Sequence, residues 1–343
     1  MKFHNVLIHS LAYESPSEFL SSDKIEQLLA PIYQKLKLPE GRLELQTGIK
    51  TRGMWPKGER PSSIATRAAK KCLASSQIEL EKIDCLIHAS VCRDFLEPAT
   101  ASVVHAELGL PASCAYFDLS NACLGVLTSM MLASQMIESG AWKNCLIVSG
   151  ENSGPLLLDT MDFLNHSDIS RKDIKKYIAN LTIGSAGVAL ILSHKSQSQT
   201  SIAQVLGGVS QSDSTSNHLC QGGGNTNHLM METDSEALLK AGVQLASTTW
   251  SQFKQTMHWS DETYQRVIGH QVGIAHKSAM FNQLKIDIDK DFSSFETWGN
   301  TGSCAVPLTL ALALEQKFIK QGEKVSLLGI GSGLTSTMVG IQC

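Results

Sequence analysis

A chain of 343 residues with 43% hydrophobic residues can bury a large core across two domain-sized units. Its formal net charge of −3 excludes the basic excess that a nucleic-acid binder needs for its phosphate contacts. Nine cysteines without a C-x-x-C pair, and no apolar run near the ~18 residues of a membrane span, suit a cytoplasmic protein with free thiols. The histidines form no H-x-x-x-H or H-E-x-x-H metal pattern.

In chain order, Met1-Lys-Phe-His-Asn-Val6 lacks the apolar core of a signal peptide. Residues 83–88 read as a short strand. Residues 124–137 are apolar on almost every face and read as a buried helix starting at Cys123; a strand at 145–148 follows. The acidic and basic clusters of 152–180 mark a helical excursion over the surface or the substrate site. Residues 188–192 form another strand, and the polar run 193–200 is the expected seam between an N-terminal half, 1–194, and a C-terminal half, 195–343. Leu229-Met230-Met231 suits core packing better than an acyl channel. Val267-Ile-Gly-His270 reads as a strand delivering a histidine into a cleft. Trp298-Gly-Asn300-Thr-Gly-Ser-Cys304 opens a second apolar helix at 305–314, and a strand at 325–328 leads to Gly331-Ser-Gly333.

The two halves echo each other. Cys123 lies 17 residues before Gly140 and Cys304 lies 18 before Gly322, each pair framing a buried helix and leading to a strand. Short apolar strands alternating with longer helices predict an α/β fold with mainly parallel sheets, layered so that both faces of each central helix are covered. A thiol at the start of a helix meets free backbone N–H groups and the positive end of the dipole, which favour thiolate, the nucleophile of acyl-thioester chemistry. Cys123 with His270 and Asn300 makes a nucleophile, a proton-handling imidazole and an amide donor. Cys304, its repeat counterpart, reads as core, as do Cys72, Cys85 and Cys145.

Asp118…Ala122-Cys123-Leu-Gly, Gly269-His270-Gln271 and Gly299-Asn300-Thr-Gly resemble the active-site motifs of thiolase-fold condensing enzymes of the ketoacyl-ACP synthase III branch. Thr47-Gly-Ile-Lys-Thr-Arg52, Gly184-Ser-Ala-Gly187 and Gly331-Ser-Gly333 add to the likeness. Within the branch, Ser90-Val-Cys-Arg-Asp-Phe-Leu-Glu97-Pro98 and the long insert after Glu151 are most similar to the OleA-type head-to-head acyl-CoA condensing enzymes of bacterial olefin biosynthesis.

The resemblance implies a thiolase fold of two similar halves in a five-layered α-β-α-β-α sandwich, and a homodimer. It implies an acyl-Cys123 intermediate, with an oxyanion hole from the backbone N–H of Cys123 and Gly333. His270 and Asn300 would hold the second acyl-CoA, and Glu97 of the partner subunit would act as base. Arg52 and Gln271 are expected to bind substrate; Lys50, Arg60, Arg67 and Lys70 suit CoA phosphates or plain solvation. Acyl-CoA would be substrate, with no metal or separate cofactor, and downstream lipid or olefin enzymes would take the product.

The implied reaction is a non-decarboxylative Claisen condensation of two fatty acyl-CoAs to a 2-alkyl-3-ketoacyl-CoA. A malonyl-using synthase gains its carbanion by losing carbon dioxide, whereas joining two plain acyl-CoAs requires a base such as Glu97. The main alternative is a 3-oxoacyl-ACP synthase III with an acyl-CoA primer and malonyl-ACP. Against it stand Gly273 and Ala275, where that branch carries Asn and a basic residue, and Arg42 and Gln46, where it clasps the CoA adenine with Trp and Arg. Acyl transfer to a hydroxyl or amine, and a non-catalytic partner subunit, are weaker readings.

Overall fold

The structure, a computed structural model, describes residues 1–197, 200–225 and 228–343. Ser198 and Gln199, in the expected seam, lie outside the described residues. Nine strands pair into one sheet among them: β1 (Val6–Glu14), β2 (Cys85–His88), β3 (Ala115–Asp118), β4 (Asn144–Glu151), β5 (Ala186–His194), β6 (Ala203–Ser212), β7 (Arg266–Gly269), β8 (Lys324–Gly331) and β9 (Thr335–Gln342). Their order is β7-β8-β9-β6-β1-β5-β4-β2-β3. In place of the expected mainly parallel pairing the sheet is mixed, with three adjacent pairs parallel and five antiparallel. The reason is that strands such as β9 return from their neighbour through a tight turn without a crossover helix.

This order contains one pattern twice. In the first half β2 runs parallel to β4, β4 antiparallel to β5, and β5 antiparallel to β1. In the second, β7 runs parallel to β8, β8 antiparallel to β9, and β9 antiparallel to β6. β3 extends the first half as a parallel edge strand, and a single parallel bridge, Val267 to Asp291, stands in the matching place of the second. The halves meet where β1 and β6 pair over only two positions, Leu7 with Gln204 and Ile8 with Ala203.

The layers follow from alternation along the strands, which sends successive side chains to opposite faces. Leu86, Leu146, Val148, Ala189 and Ile191 face outward against α1 (Pro61–Ser76) and α2 (Thr100–Leu108). Their neighbours Cys85, Ile87, Cys145, Ile147, Val188 and Leu190 face inward, onto α3 (Gly125–Glu138) and α6 (Ala305–Glu315). Val325, Leu327, Val339 and Ile341 close over the same two helices from the second half. Beyond that half lie α4 (Ser235–Met257) and α5 (Ile274–Leu284), packed on Val209, Val267, Leu328 and Met338. The result is the five-layered α-β-α-β-α sandwich of the thiolase fold. The all-round apolar character of α3 and α6 is what a helix between two sheets requires.

The excursion after β4 is helical, as its charge pattern suggests: a helix at Gly154–His166 and a 3₁₀ stretch at Asp173–Thr182. It builds a separate small core with the chain's early helices, Leu157, Leu164 and Leu181 packing against Ile25, Leu29 and Leu43. Met230, on the strand His228–Thr233, packs against this cluster.

Candidate active site

The chain leaves β3 and turns sharply before α3, with Ala122 in the left-handed region at φ 45° and Cys123 next. A residue with a Cβ adopts this conformation at a cost of roughly 1–2 kcal/mol, so neighbouring contacts must hold it. The Ser303 hydroxyl donates to the Ala122 carbonyl at 2.7 Å, and Asn121 Nδ2 donates to Thr128 Oγ1 on α3 at 2.9 Å. The end of β8 comes up against the same elbow. A Cβ on Gly331 would lie 3.4 Å from Cys123 N and 3.2 Å from the Leu124 side chain. Gly333, the expected second oxyanion donor, lies two residues beyond, at φ 106° and with nothing within 4 Å of where its Cβ would start.

His270 follows β7, and its backbone N–H donates to Leu328 O on β8 at 2.9 Å, three residues before Gly331. Asn300 sits in a turn strapped to residues 182–184: its N–H donates to Thr182 O and its carbonyl accepts from Gly184 N, both at 2.9 Å. Its side-chain Oδ1 accepts from Gly302 N at 3.2 Å, which leaves Nδ2 free to donate. Ser303, three residues on, reaches Ala122. The elbow of Cys123, the β8 end beside His270 and the Asn300 turn thus converge on the start of α3.

The electrostatics differ from the expectation at Cys123. Burial, then the Glu151 carboxylate and Cys220, push its thiol from 9.0 up to about 12. α3 starts two residues later, at Gly125, and desolvation outweighs whatever its N-terminus offers. His270 is pushed from 6.5 down to about 3 by burial and by His276, itself lowered to about 4. Both imidazoles are therefore neutral at physiological pH. His270 Nδ1 is sealed from solvent and has no hydrogen-bond partner among the described residues.

Two expected substrate-binding residues do structural work instead. Arg52 is fully buried: Nη1 donates to Leu20 O at 3.2 Å and Nη2 to Ser22 Oγ at 2.9 Å, and desolvation lowers the guanidinium to about 10. Gln271 is buried with both ends of its amide in use. Nε2 donates to Gly269 O at 2.6 Å, and Oε1 accepts from Ser294 N at 2.8 Å and Phe295 N at 3.1 Å, pinning the loop after β7. Among the surface cations, Arg67 is paired with Glu14 and Glu59. Cys304 is fully buried, its thiol directed to the carbonyls of Ser149 and Ala186 and pushed upward by burial.

Sequence reasoning missed Glu151 and His276. Glu151 ends β4, a strand buried along its whole length, and burial raises its carboxyl above the ordinary value. An apolar strand running straight into a carboxylate was the available signal. Nothing in the spacing pairs His276 with His270.

Glu97 is on the loop between β2 and α2, and the loop is tied at both ends. Val91 N and Cys92 N donate to Glu151 at 2.9 and 3.1 Å. Asp94 Oδ1 accepts from Ser62 N at 2.9 Å, and Asp118 receives Thr100 N and Ala101 N at 2.8 Å each. Between these anchors the tip projects, with Phe95 41% and Leu96 96% exposed and Glu97 exposed beside them. Among the described residues the Glu97 carboxylate has no partner.

Residues 117–209 match the family model of 3-oxoacyl-[acyl-carrier-protein] synthase III, and residues 255–343 match the model of its C-terminal part. The chain is 39% identical to the acyl-CoA:acyl-CoA alkyltransferase of Shewanella oneidensis, over 100% of both chains. It is 27% identical to a beta-ketoacyl-[acyl-carrier-protein] synthase III of Koribacter versatilis, over 85% of this chain and 86% of the other. Among solved structures it is similar to Xanthomonas campestris OleA, a Cys-to-Ser variant with bound lauric acid and lauroyl-CoA, at TM-score 0.94 and 34% identity, covering 99% of this chain and 100% of the other. With its motifs assembled on this fold, the chain belongs to the acyl-CoA:acyl-CoA alkyltransferase family of synthase III-like enzymes.

Proposed function

We propose that this enzyme joins two fatty acyl-CoAs head to head, without decarboxylation, to give a 2-alkyl-3-ketoacyl-CoA. The observation that carries the reading is identity along the entire chain to an acyl-CoA:acyl-CoA alkyltransferase, against the lower, partial identity to a malonyl-type synthase. The Cys123 sulfur attacks the first thioester carbonyl. The tetrahedral oxyanion is held by the backbone N–H groups of Cys123 and Gly333, and CoA leaves with the thiol proton. The second acyl-CoA places its thioester oxygen between His270 Nε2–H and Asn300 Nδ2. Glu97 of the partner subunit takes the α-proton, the enolate carbon attacks the acyl-Cys123 carbonyl, and the C–S bond to Cys123 breaks. The proton held by Glu97 passes to the released Cys123 sulfur, which restores both groups. The chemistry balances without a metal or cofactor.

A homodimer completes this site. It is supported by the unpaired edge of β3, where Tyr116 is 47% exposed, and by the projecting apolar tip around Leu96. The free thiols suit a reducing, cytoplasmic location, and no helix among the described residues is long and apolar enough to cross a membrane.

The test is purified protein with a long-chain acyl-CoA as sole substrate, following CoA release and product mass. A two-chain β-keto product, or the ketone formed from it after hydrolysis, is expected. Turnover only after malonyl-ACP is added would overturn the reading in favour of the decarboxylating alternative.

The acylation step carries its own pH signature. With the Cys123 thiol raised to about 12, the thiolate fraction gains about tenfold per pH unit across the working range. Single-turnover CoA release should therefore climb steadily from about pH 6 to 9, with no step near the usual histidine value, because His270 is already neutral there. A plateau centred on the ordinary thiol value would mean that bound substrate pulls the thiol down.

A further inference from the structure

Glu151 is a buried carboxylate for which the condensation chemistry has no use, yet it bonds two of the loops that the chemistry does use. It is 3% exposed. Oε1 accepts from Val91 N at 2.9 Å and Ser303 N at 3.0 Å, and Oε2 accepts from Cys92 N at 3.1 Å. Those three donors come from two distant stretches: the loop whose tip carries Glu97 and the turn that carries Asn300. From Ser303 the connection continues through its hydroxyl to the carbonyl of Ala122, the left-handed residue before Cys123.

The site is shaped for a carboxylate. A Cβ on Gly302 would lie 2.9 Å from Glu151 Oε1, and Gly302 sits at φ 57°, so the turn closes over the carboxylate only because no side chain intervenes. Three converging N–H donors need a group that only accepts; an amide offers one oxygen and presents its NH₂ to the remaining donor. Among the described residues no cation pairs with this carboxylate. Burying it is therefore costly, and the cost is offset by the backbone bonds it gathers.

We propose that Glu151 is a positioning residue for the condensation half-reaction, holding the Glu97 loop, the Asn300 turn and the Cys123 elbow in one fixed arrangement. The inference rests on the head-to-head reading above. Acylation requires Cys123 and the two backbone donors of its oxyanion hole, none of which bonds Glu151 directly, whereas condensation requires the acyl-sulfur, the enolate donors and the base to be aligned together. A displacement of about 1 Å at such a step costs on the order of 100-fold.

The test compares wild type, Glu151→Gln and Gly302→Ala, each as the full-length purified enzyme, in two assays: single-turnover CoA release and two-chain product formation. Glu151→Gln, which also removes a charge that helps hold the Cys123 thiol up, should acylate no more than about threefold below wild type and condense on the order of 100-fold more slowly. Gly302→Ala, which presses on the carboxylate without removing it, should show the same split. Thermal melting is measured alongside, because a residue with only a structural role lowers stability and both half-reactions in parallel. Parallel loss, or unchanged condensation, overturns the proposal. If wild type makes no two-chain product from acyl-CoA alone, the functional reading fails instead. The split is then read with malonyl thioester as second substrate, where a selective loss still supports the positioning role and a parallel loss still overturns it.

Discussion

Replacing Cys123 with Ala is expected to abolish acylation, with single-turnover CoA release falling by roughly 10⁴-fold or more, as when the nucleophile of a covalent mechanism is removed. Whole-protein mass after incubation with acyl-CoA checks this directly: wild type gains one acyl group and the variant none. Cys92, Cys220 and Cys304 make the experiment informative, since all three influence or share the environment of the Glu151–Cys123 cluster. Cys304 is fully buried, with its thiol turned to the carbonyls of Ser149 and Ala186, and burial raises the thiols of Cys92 and Cys304 well above the ordinary value. An acyl group retained on Cys123→Ala would overturn the assignment and point to one of these neighbours.

Glu97→Gln should leave the first half-reaction intact and stop the second. The amide keeps the size of the side chain but cannot take a proton, so condensation should fall by about 10²–10⁴-fold while Cys123 still acylates. Wild-type condensation in this variant would remove Glu97 from the mechanism. A complementation experiment decides which subunit supplies the carboxylate. In the proposed homodimer, the Cys123→Ala and Glu97→Gln proteins should each be inactive in condensation, but a hybrid dimer would have one site with an intact Cys123 from one subunit and an intact Glu97 from the other. Recovery of product in hybrids means that Glu97 acts across the interface; no recovery places it in its own subunit's site. The geometry of one chain favours the first outcome, because the anchored loop delivers Glu97 outward.

Much of the architecture was legible before any coordinates. The spacing from Cys123 to Gly140 and from Cys304 to Gly322 announced a repeated helix–strand unit, and the sheet contains that unit twice. Boundaries moved little: α3, expected over 124–137, begins at Gly125, and α6 begins at Ala305 as expected, each after a turn that carries the site. The reason is local, since a left-handed residue at 122 and a glycine at 302 hold the chain out of the helix.

Residue type and motif order point to Cys123, His270 and Asn300 as the candidate set, because nucleophile, imidazole and amide chemistry is written in side-chain identity. What sequence could not decide was burial and partnership. Arg52 and Gln271 looked like ligand-binding groups until the fold enclosed them and spent their hydrogen bonds on backbone. The Cys123 thiol was expected to ionise easily, yet desolvation and a neighbouring carboxylate raise it. Glu151 became visible only when β4 delivered it beneath two loops far apart in the chain. Those outcomes depend on what surrounds an atom in three dimensions, and dielectric, proximity and solvent access arise only once distant segments have packed together.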